Sequence, residues 1–383
     1  MKKILIISHS QKIGGAEKCL VELSKGLKTR GYYLTVVLPS IGENYNSFTD
    51  YADEVIINSY PWWLKNNENS PFRIIFRSFL SHLKAIYTFY KIIKVTKPHV
   101  LINNTVAVPS AIIASRAFRV ANIWFIHEFG DIDHNFKFEF SKNLSFYIIK
   151  KCSNNIFVNS QMMLDYYSVQ LKRNDLVRVD YSIDKPIIEN CTSHFEDNEV
   201  INIYVIGQIQ DGKGQIDALK AINYLSNQKL FINLYIIGQV SDYVYYDVLL
   251  KYIDAHNLSN VHFRPHNNNP FNFVLKNAIG LVCSRNEAFG RITIEYMKLG
   301  IPVIGLKKPN TSNLIDNGVN GLLYNENNIE DLCEKIILLF NDKLLRNKII
   351  KNGINFSECN FNTEKYIEPF INVIEDKNET FFT

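Results

Sequence analysis

The chain has 383 residues, 46% of them hydrophobic and 21% charged, and a formal net charge of +4. That length exceeds what one core usually serves and predicts two domains, while the composition excludes a disordered chain. The mild basic balance excludes nucleic acid as a partner, since a strongly basic domain would be expected for that.

The six cysteines, Cys19, Cys152, Cys191, Cys283, Cys333 and Cys359, form no CxxC pair. No zinc site is therefore expected, and a reducing cytosol fits. Residues 4–7 are apolar, but Ser8, His9 and Ser10 end the run too early for a secretory core. No apolar stretch is long enough to span a bilayer. These features predict a cytoplasmic protein.

In chain order, residues 4–7 read as a buried strand. Gly14 and Gly15 follow, and then Ala16, Leu20, Leu23 and Leu27 recur at helical spacing up to Gly31. Further strands are predicted at 34–38, 55–57, 100–102, 123–126 and 156–158. Strands alternating with helical stretches imply a parallel sheet covered by helices on both faces. A polar stretch near 191–198 marks a linker at about 183–199. The pattern restarts at 201–206 with a helix carrying Ile216, Leu219 and Ile222. Strands at 234–237, 261–263, 281–283, 302–306 and 322–324 come next, and a last helix covers 363–375.

Within the first half, Phe72, Phe76, Leu80, Leu83, Tyr87 and Tyr90 recur at helical spacing. Arg73, Arg77, Lys84 and Lys91 run beside them, with Lys94 and Lys97 beyond. A helix of this kind over 72–94 suits an anionic membrane surface, and Trp62 and Trp63 upstream suit the same interface. The plainer alternative is a sheet-covering helix with a solvated basic face.

Three segments carry candidate chemistry. Residues 8–17, SHSQKIGGAE, run from a strand into a Gly-Gly turn at a helix start. Such a turn admits an anion, although alone it reads as a tight turn. Residues 207–214, GQIQDGKG, place Lys213 in a glycine-flanked loop after a strand, where it meets either a phosphate or only solvent. The segment lacks the Ser or Thr of a P-loop. The most informative stretch is 284–305, SRNEAFGRITIEYMKLGIPVIG. Glu287 falls in a loop, Phe289 and Gly290 make a turn, and Glu295 lies about one turn inside the next helix. Two carboxylates then flank a helix start at the carboxyl end of a strand, where open α/β sheets bind ligands. Two solvated acids are the bland alternative. The apolar neighbours Phe289, Ile292, Ile294 and Met297 argue against it, because an unpaired buried Glu is costly.

The E-x7-E spacing of Glu287 and Glu295, with Phe289-Gly290 inside and Gly300-Ile301-Pro302-Val303 after it, resembles glycosyltransferase family 4. Gly14-Gly15-Ala16-Glu17 is similar to that family's GGxE turn, and His127-Glu128 to its His-acid pair. Gly207 with Lys213-Gly214 is similar to its phosphate loop, and residues 316–323 to its late DG-x-NG-LL segment. The resemblance covers nearly the whole chain. It implies a GT-B architecture of two Rossmann-like parallel-sheet domains facing across a cleft. An acceptor-binding domain at 1–185 and a nucleotide-sugar-binding domain at 198–362 are expected, with a helix at 363–383 crossing back to the first.

The resemblance further implies a retaining hexosyltransferase that moves a sugar from a UDP- or GDP-linked donor to a glycan or lipid-linked acceptor. The setting would be bacterial surface polysaccharide or glycoconjugate synthesis, on the inner face of the membrane. No cofactor or metal is expected. Catalytic roles fall to His127, Glu287 and Lys213. Donor contacts fall to Gly14, Gly15, Glu17, Gly207, Lys213, His266, Glu287, Phe289, Gly290, Arg291 and Glu295. Two departures stand out: Gln208 occupies a position where the family commonly has Arg, and residues 309–313 replace its Gly-Gly-x-x-Glu with Pro-Asn-Thr-Ser-Asn. Arg291 or a nearby lysine is the expected substitute for the missing cation. The departures motivate a rival reading, a non-catalytic partner subunit; a nucleotide-sugar epimerase is a second rival.

Overall fold

The computed structural model describes residues 1–12, 14–43, 45–66, 72–130, 136–187, 200–267, 269–285, 287 and 289–376, apart from the side chains of 72–75 and 136. Most of the linker expected at 183–199 and the side chains of Phe72 and Arg73 lie outside the described residues. The chain forms two compact units: Met1–Ser182 with Asn362–Thr383, and Ile183–Phe361.

The first unit contains β1 (Lys3–Ile7), β2 (Tyr33–Leu38), β3 (Glu54–Ile57), β4 (Leu64–Asn66), β5 (Val100–Asn103), β6 (Ala121–Ile126), β7 (Phe136–Phe138), β8 (Asn155–Val158) and β9 (Val177–Arg178). Seven of these make one parallel sheet in the order β3-β2-β1-β5-β6-β8-β9, and β4 pairs antiparallel with β7. The second unit contains β10 (Ile201–Ile206), β11 (Ile232–Ile237), β12 (Val261–Arg264), β13 (Ala278–Val282), β14 (Val303–Leu306) and β15 (Leu322–Tyr324). They form a parallel sheet in the order β12-β11-β10-β13-β14-β15. Both orders reverse direction beside the unit's first strand, which leaves a crevice at the carboxyl ends of the strands.

Near-continuous apolar strands such as KILII and INIYVI bury both faces, as a doubly covered parallel sheet requires. In the first unit, Leu5, Leu101, Trp124 and Phe89 share one core. The terminal helix Thr363–Glu375 belongs to this unit and covers part of the sheet. Phe370 packs edge-on against Phe125 and Phe157, with ring centroids 5.4 and 4.9 Å apart. Tyr366 donates its hydroxyl to the Cys19 carbonyl at 3.0 Å, and Lys2 Nζ donates to the Ile374 carbonyl at 2.6 Å.

The helix Phe72–Thr96 is two-sided. His82, Ala85, Phe89 and Ile93 are buried beneath it, as in a sheet-covering helix. The opposite face carries exposed Phe76, Phe79, Leu80, Leu83, Tyr87 and Tyr90. The two neighbouring tryptophans part company: Trp63 is 1% exposed and packs between Trp124 and Phe138, and only Trp62 is exposed. Trp63 buries because its indole N–H finds the Val106 carbonyl at 2.6 Å, which removes the cost of taking that group from water. The expectation that Trp63 faces an interface is therefore corrected. No described helix is long and apolar enough to cross a membrane.

Candidate active site

In the second unit, β10 ends at Ile206 and the chain enters a loop. A short 3-10 turn, Asp211–Lys213, is closed by Gly214 at φ +66°. The β13 strand ends two residues before Ser284, and the Arg285 N–H donates to the Gly212 carbonyl at 2.9 Å. That bond ties the two loops together at the carboxyl edge of adjacent strands. Their side chains then meet, with Lys213 Nζ 2.8 Å from Glu287 Oε2. Gly207, Lys213, Gln215 and Glu287 line a small cavity of about 20 Å³, room for roughly one water.

The next helix, Arg291–Lys298, starts at Gly290 with φ +96° and no side-chain cap. Its N-terminus offers peptide N–H groups and a positive dipole end to an anion. Glu295 pairs with Arg291 on the same helix, Nε to Oε1 2.8 Å. The expected buried carboxylate is thus not left unpaired. The Arg291 guanidinium sits on Glu295. Phe289 is buried and packs edge-on against Phe361, while His266 is exposed in the loop after β12. Asn310 donates its amide to the Glu287 carbonyl, so the 309–313 segment supports the Glu287 loop. Sequence reasoning missed Asp217, which accepts from Arg285 and from the Tyr324 hydroxyl, each at 3.2 Å. No motif marked Asp217 or Tyr324, and the three residues lie far apart in the chain.

In the first unit the register aligns the carboxyl ends of β1, β5 and β6, pairing Ile7 with Asn103 and Asn103 with Trp124. His9, Asn104 and His127 therefore emerge at one edge. The GGxE turn has a local cause. Gly14 is the N-cap of the helix Gly15–Thr29, and Glu17 is its third residue. The Glu17 carboxylate folds back on the helix start, as in the acidic half of a capping box. A Cβ on Gly14 would lie 2.8 Å from Glu17 Oε2. Burial pushes the Glu17 carboxyl above its ordinary range, opposed by the His9 imidazole and by N–H groups at Glu17 and Gly14. His9 Nδ1 lies 3.3 Å from Glu17 Oε1. His9 was not singled out in the sequence, because one histidine after a strand carries no pattern.

His127 is buried with both ring nitrogens engaged. Nε2 lies 2.6 Å from Asn104 Oδ1, which can only accept, so Nε2 carries the proton. Nδ1 then accepts from the Tyr181 hydroxyl, which in turn accepts from Asn159 Nδ2 at 2.7 Å. Burial, and secondarily the nearby His9, holds the His127 pKa well below the usual imidazole value. Glu128 is fixed separately, its Oε1 accepting from Thr105 Oγ1 at 2.9 Å and from the Val106 N–H at 3.2 Å.

A neutral buried histidine has a pH consequence. Its folded pKa lies below its unfolded value of about 6.5. Its stabilising contribution is therefore full above that value and is lost as pH falls through it toward the folded pKa. The expected slope is up to about 1.4 kcal/mol per pH unit for one group. His82, also lowered by burial, adds with the same sign. Denaturant unfolding between pH 7 and pH 5 is expected to show a shallower acid slope for His127→Gln than for the parent. An unchanged slope would mean that His127 takes up a proton as readily in the folded protein as in the unfolded chain.

The comparisons agree with this architecture. A family model described as Glycosyl transferases group 1 matches residues 188–356, and one described as Glycosyltransferase Family 4 matches residues 13–179. The chain is 31% identical over 166 residues to an uncharacterized glycosyltransferase of Methanocaldococcus jannaschii, spanning 43% of this chain and 44% of that protein. It is 23% identical over 388 residues to an uncharacterized glycosyltransferase of Haemophilus influenzae, spanning 98% and 100%. Its fold is similar to that of HepE from Anabaena, solved in complex with UDP and glucose, with TM-score 0.74, 18% identity and coverage of 98% and 100%. With one family matched in each half, the chain belongs to the group 1, family 4 glycosyltransferases.

Proposed function

We propose that this glycosyltransferase moves a sugar from a nucleoside-diphosphate donor held at the carboxyl edge of the second unit's sheet. The observation that carries this reading is the Lys213–Glu287 pair, 2.8 Å apart beside the uncapped start of the Arg291–Lys298 helix. The donor's diphosphate takes Lys213 and the helix N–H groups. Its ribose hydroxyls meet Glu295, and its base lies by the exposed His266 loop. HepE, similar in fold, was solved with UDP, which favours UDP over GDP as the donor nucleotide.

The C1–diphosphate bond breaks, C1 bonds to the acceptor hydroxyl with retention, and that hydroxyl's proton leaves on the diphosphate. Lys213 and the helix dipole stabilise the departing charge. In the first unit, His127 holds Asn104 in place. The acceptor is a glycan or lipid-linked glycan of bacterial surface polysaccharide or glycoconjugate synthesis.

Calorimetry separates the donor contacts. Lys213→Ala is expected to weaken UDP by roughly tenfold or more, as hydrogen bonds to charged groups are worth about 1.5–3 kcal/mol, and to leave uridine unchanged. Glu287→Gln, which removes the lysine's competing partner, is expected to tighten UDP. Glu295→Ala is expected to weaken UDP and uridine alike. Parent-like UDP binding by both Lys213→Ala and Glu295→Ala would refute the donor site.

The membrane reading rests on the exposed face of the Phe72–Thr96 helix. Phe76 and Tyr87 are 55% and 58% exposed, beside exposed Arg77, Lys84, Lys91 and Lys94. Apolar rings beside cations suit an anionic bilayer surface, where a lipid-linked acceptor would lie. Flotation with anionic liposomes is expected to carry the protein upward at low salt and less at high salt. Reversing Arg77, Lys84 and Lys91 to Glu is expected to abolish flotation; unchanged flotation would leave the helix a structural element only.

A further inference from the structure

Trp62 differs from the chain's other two tryptophans. Trp63 and Trp124 are 1% and 0% exposed, whereas Trp62 is 37% exposed. Its indole is nonetheless anchored. Nε1 donates to the His9 carbonyl at 3.2 Å, and the ring packs tilted against the His9 imidazole with centroids 5.4 Å apart. His9 in turn sets Nδ1 3.3 Å from Glu17 Oε1. The Glu17 carboxylate is fixed by the helix start at Gly14. One line of contacts thus runs from a helix cap through a carboxylate and an imidazole to an indole, all at the carboxyl edge of the first sheet.

This combination has a recognisable chemistry. A pyranose presents a face of C–H groups that stacks on an indole, and hydroxyls at its rim that need donors and acceptors. Sites of this kind join an aromatic surface to a few fixed polar groups. Among the described residues, no hydrogen bond is made by His9 Nε2, which leaves it for a ligand hydroxyl. The side chain of His9 is 15% exposed, enough to be reached from solvent beside Trp62.

We infer that Trp62, His9 and Glu17 form a sugar subsite of the first unit, which takes the pyranose end of the acceptor. The inference rests on the proposed transferase reading and names its acceptor class: a neutral pyranose stacked on Trp62, one hydroxyl bonded to His9. Glu17 acts on His9 as a positioning residue, its Oε1 lying 3.3 Å from the imidazole Nδ1.

Because the other two tryptophans are buried, acrylamide-quenchable emission reports on Trp62. Quenching is measured with methyl glucopyranoside, methyl galactopyranoside or methyl N-acetylglucosaminide added, with and without UDP, and with glycerol as control. At least one pyranoside is expected to protect the emission and shift it to shorter wavelength, while glycerol does not. Trp62→Phe is expected to remove the quenchable emission. His9→Gln keeps the indole and is expected to raise the protecting concentration roughly tenfold, the loss of about one hydrogen bond. Glu17→Gln is expected to do so less. The inference is overturned if no pyranoside protects, if glycerol protects equally, or if His9→Gln leaves the titration unchanged. UDP calorimetry on the parent keeps the two readings apart: absence of UDP binding would count against the donor site, while the quenching result would still judge this one.

Discussion

Gly214 holds together the edge of the second unit's sheet where the donor is proposed to bind. At φ +66° it lies where a Cβ would come 2.4 Å from the Cys283 carbonyl oxygen, so only glycine fits without moving backbone. The loop after β10 is thereby pressed against the end of β13, and the Arg285 N–H completes the seam at the Gly212 carbonyl. Everything that gives the site its charge pattern follows from that contact. Lys213 reaches Glu287, Arg285 reaches Asp217, and the Glu287 loop passes in front of an uncapped helix start. Two cations, two carboxylates and a helix dipole then share one sheet edge.

The first unit uses a different device for the same end. Glu17 is fixed by the helix it caps, His127 by Asn104 and Tyr181 on its two nitrogens, and Glu128 by Thr105. The terminal helix steadies the sheet from which these residues emerge, with Phe370 against Phe125 and Phe157. A neutral, fully engaged His127 suits a positioning role. His9, with one nitrogen on Glu17 and an exposed indole beside it, is the histidine with a face turned outward.

Much of this was legible in the sequence because parallel sheets write themselves as short apolar runs separated by helical periods. The runs at 201–206 and 322–324 and the helix at 363–375 fall where the strands β10 and β15 and the terminal helix lie. The strand expected at 281–283 instead spans Ala278–Val282, because Gly280 interrupts the apolar run from which it was read. The β4–β7 pair was invisible: its strands have three residues each and meet across some seventy positions of chain. Charge pairing was equally hidden. The spacing of Glu287 and Glu295 marked both as site candidates, but nothing in it showed Lys213 on one and Arg291 on the other. The Lys213–Glu287 pair is made through tertiary packing, which leaves no period to read, whereas Arg291 and Glu295 stand one helical turn apart. Trp62 and Trp63, adjacent and chemically alike, separate in the structure: the Trp63 indole N–H finds the Val106 carbonyl in the core, and that of Trp62 the His9 carbonyl at the surface.

The central claim is that Lys213 stabilises a leaving diphosphate during sugar transfer. Release of the nucleoside diphosphate from UDP- and GDP-linked hexoses, followed for the parent and for Lys213→Ala at saturating donor, tests it most directly. The account predicts release from at least one donor by the parent, and a fall of at least about a hundredfold at saturation in the variant, the size seen when one preorganised donor to a developing charge is removed. Release at the parent's rate by Lys213→Ala would contradict it.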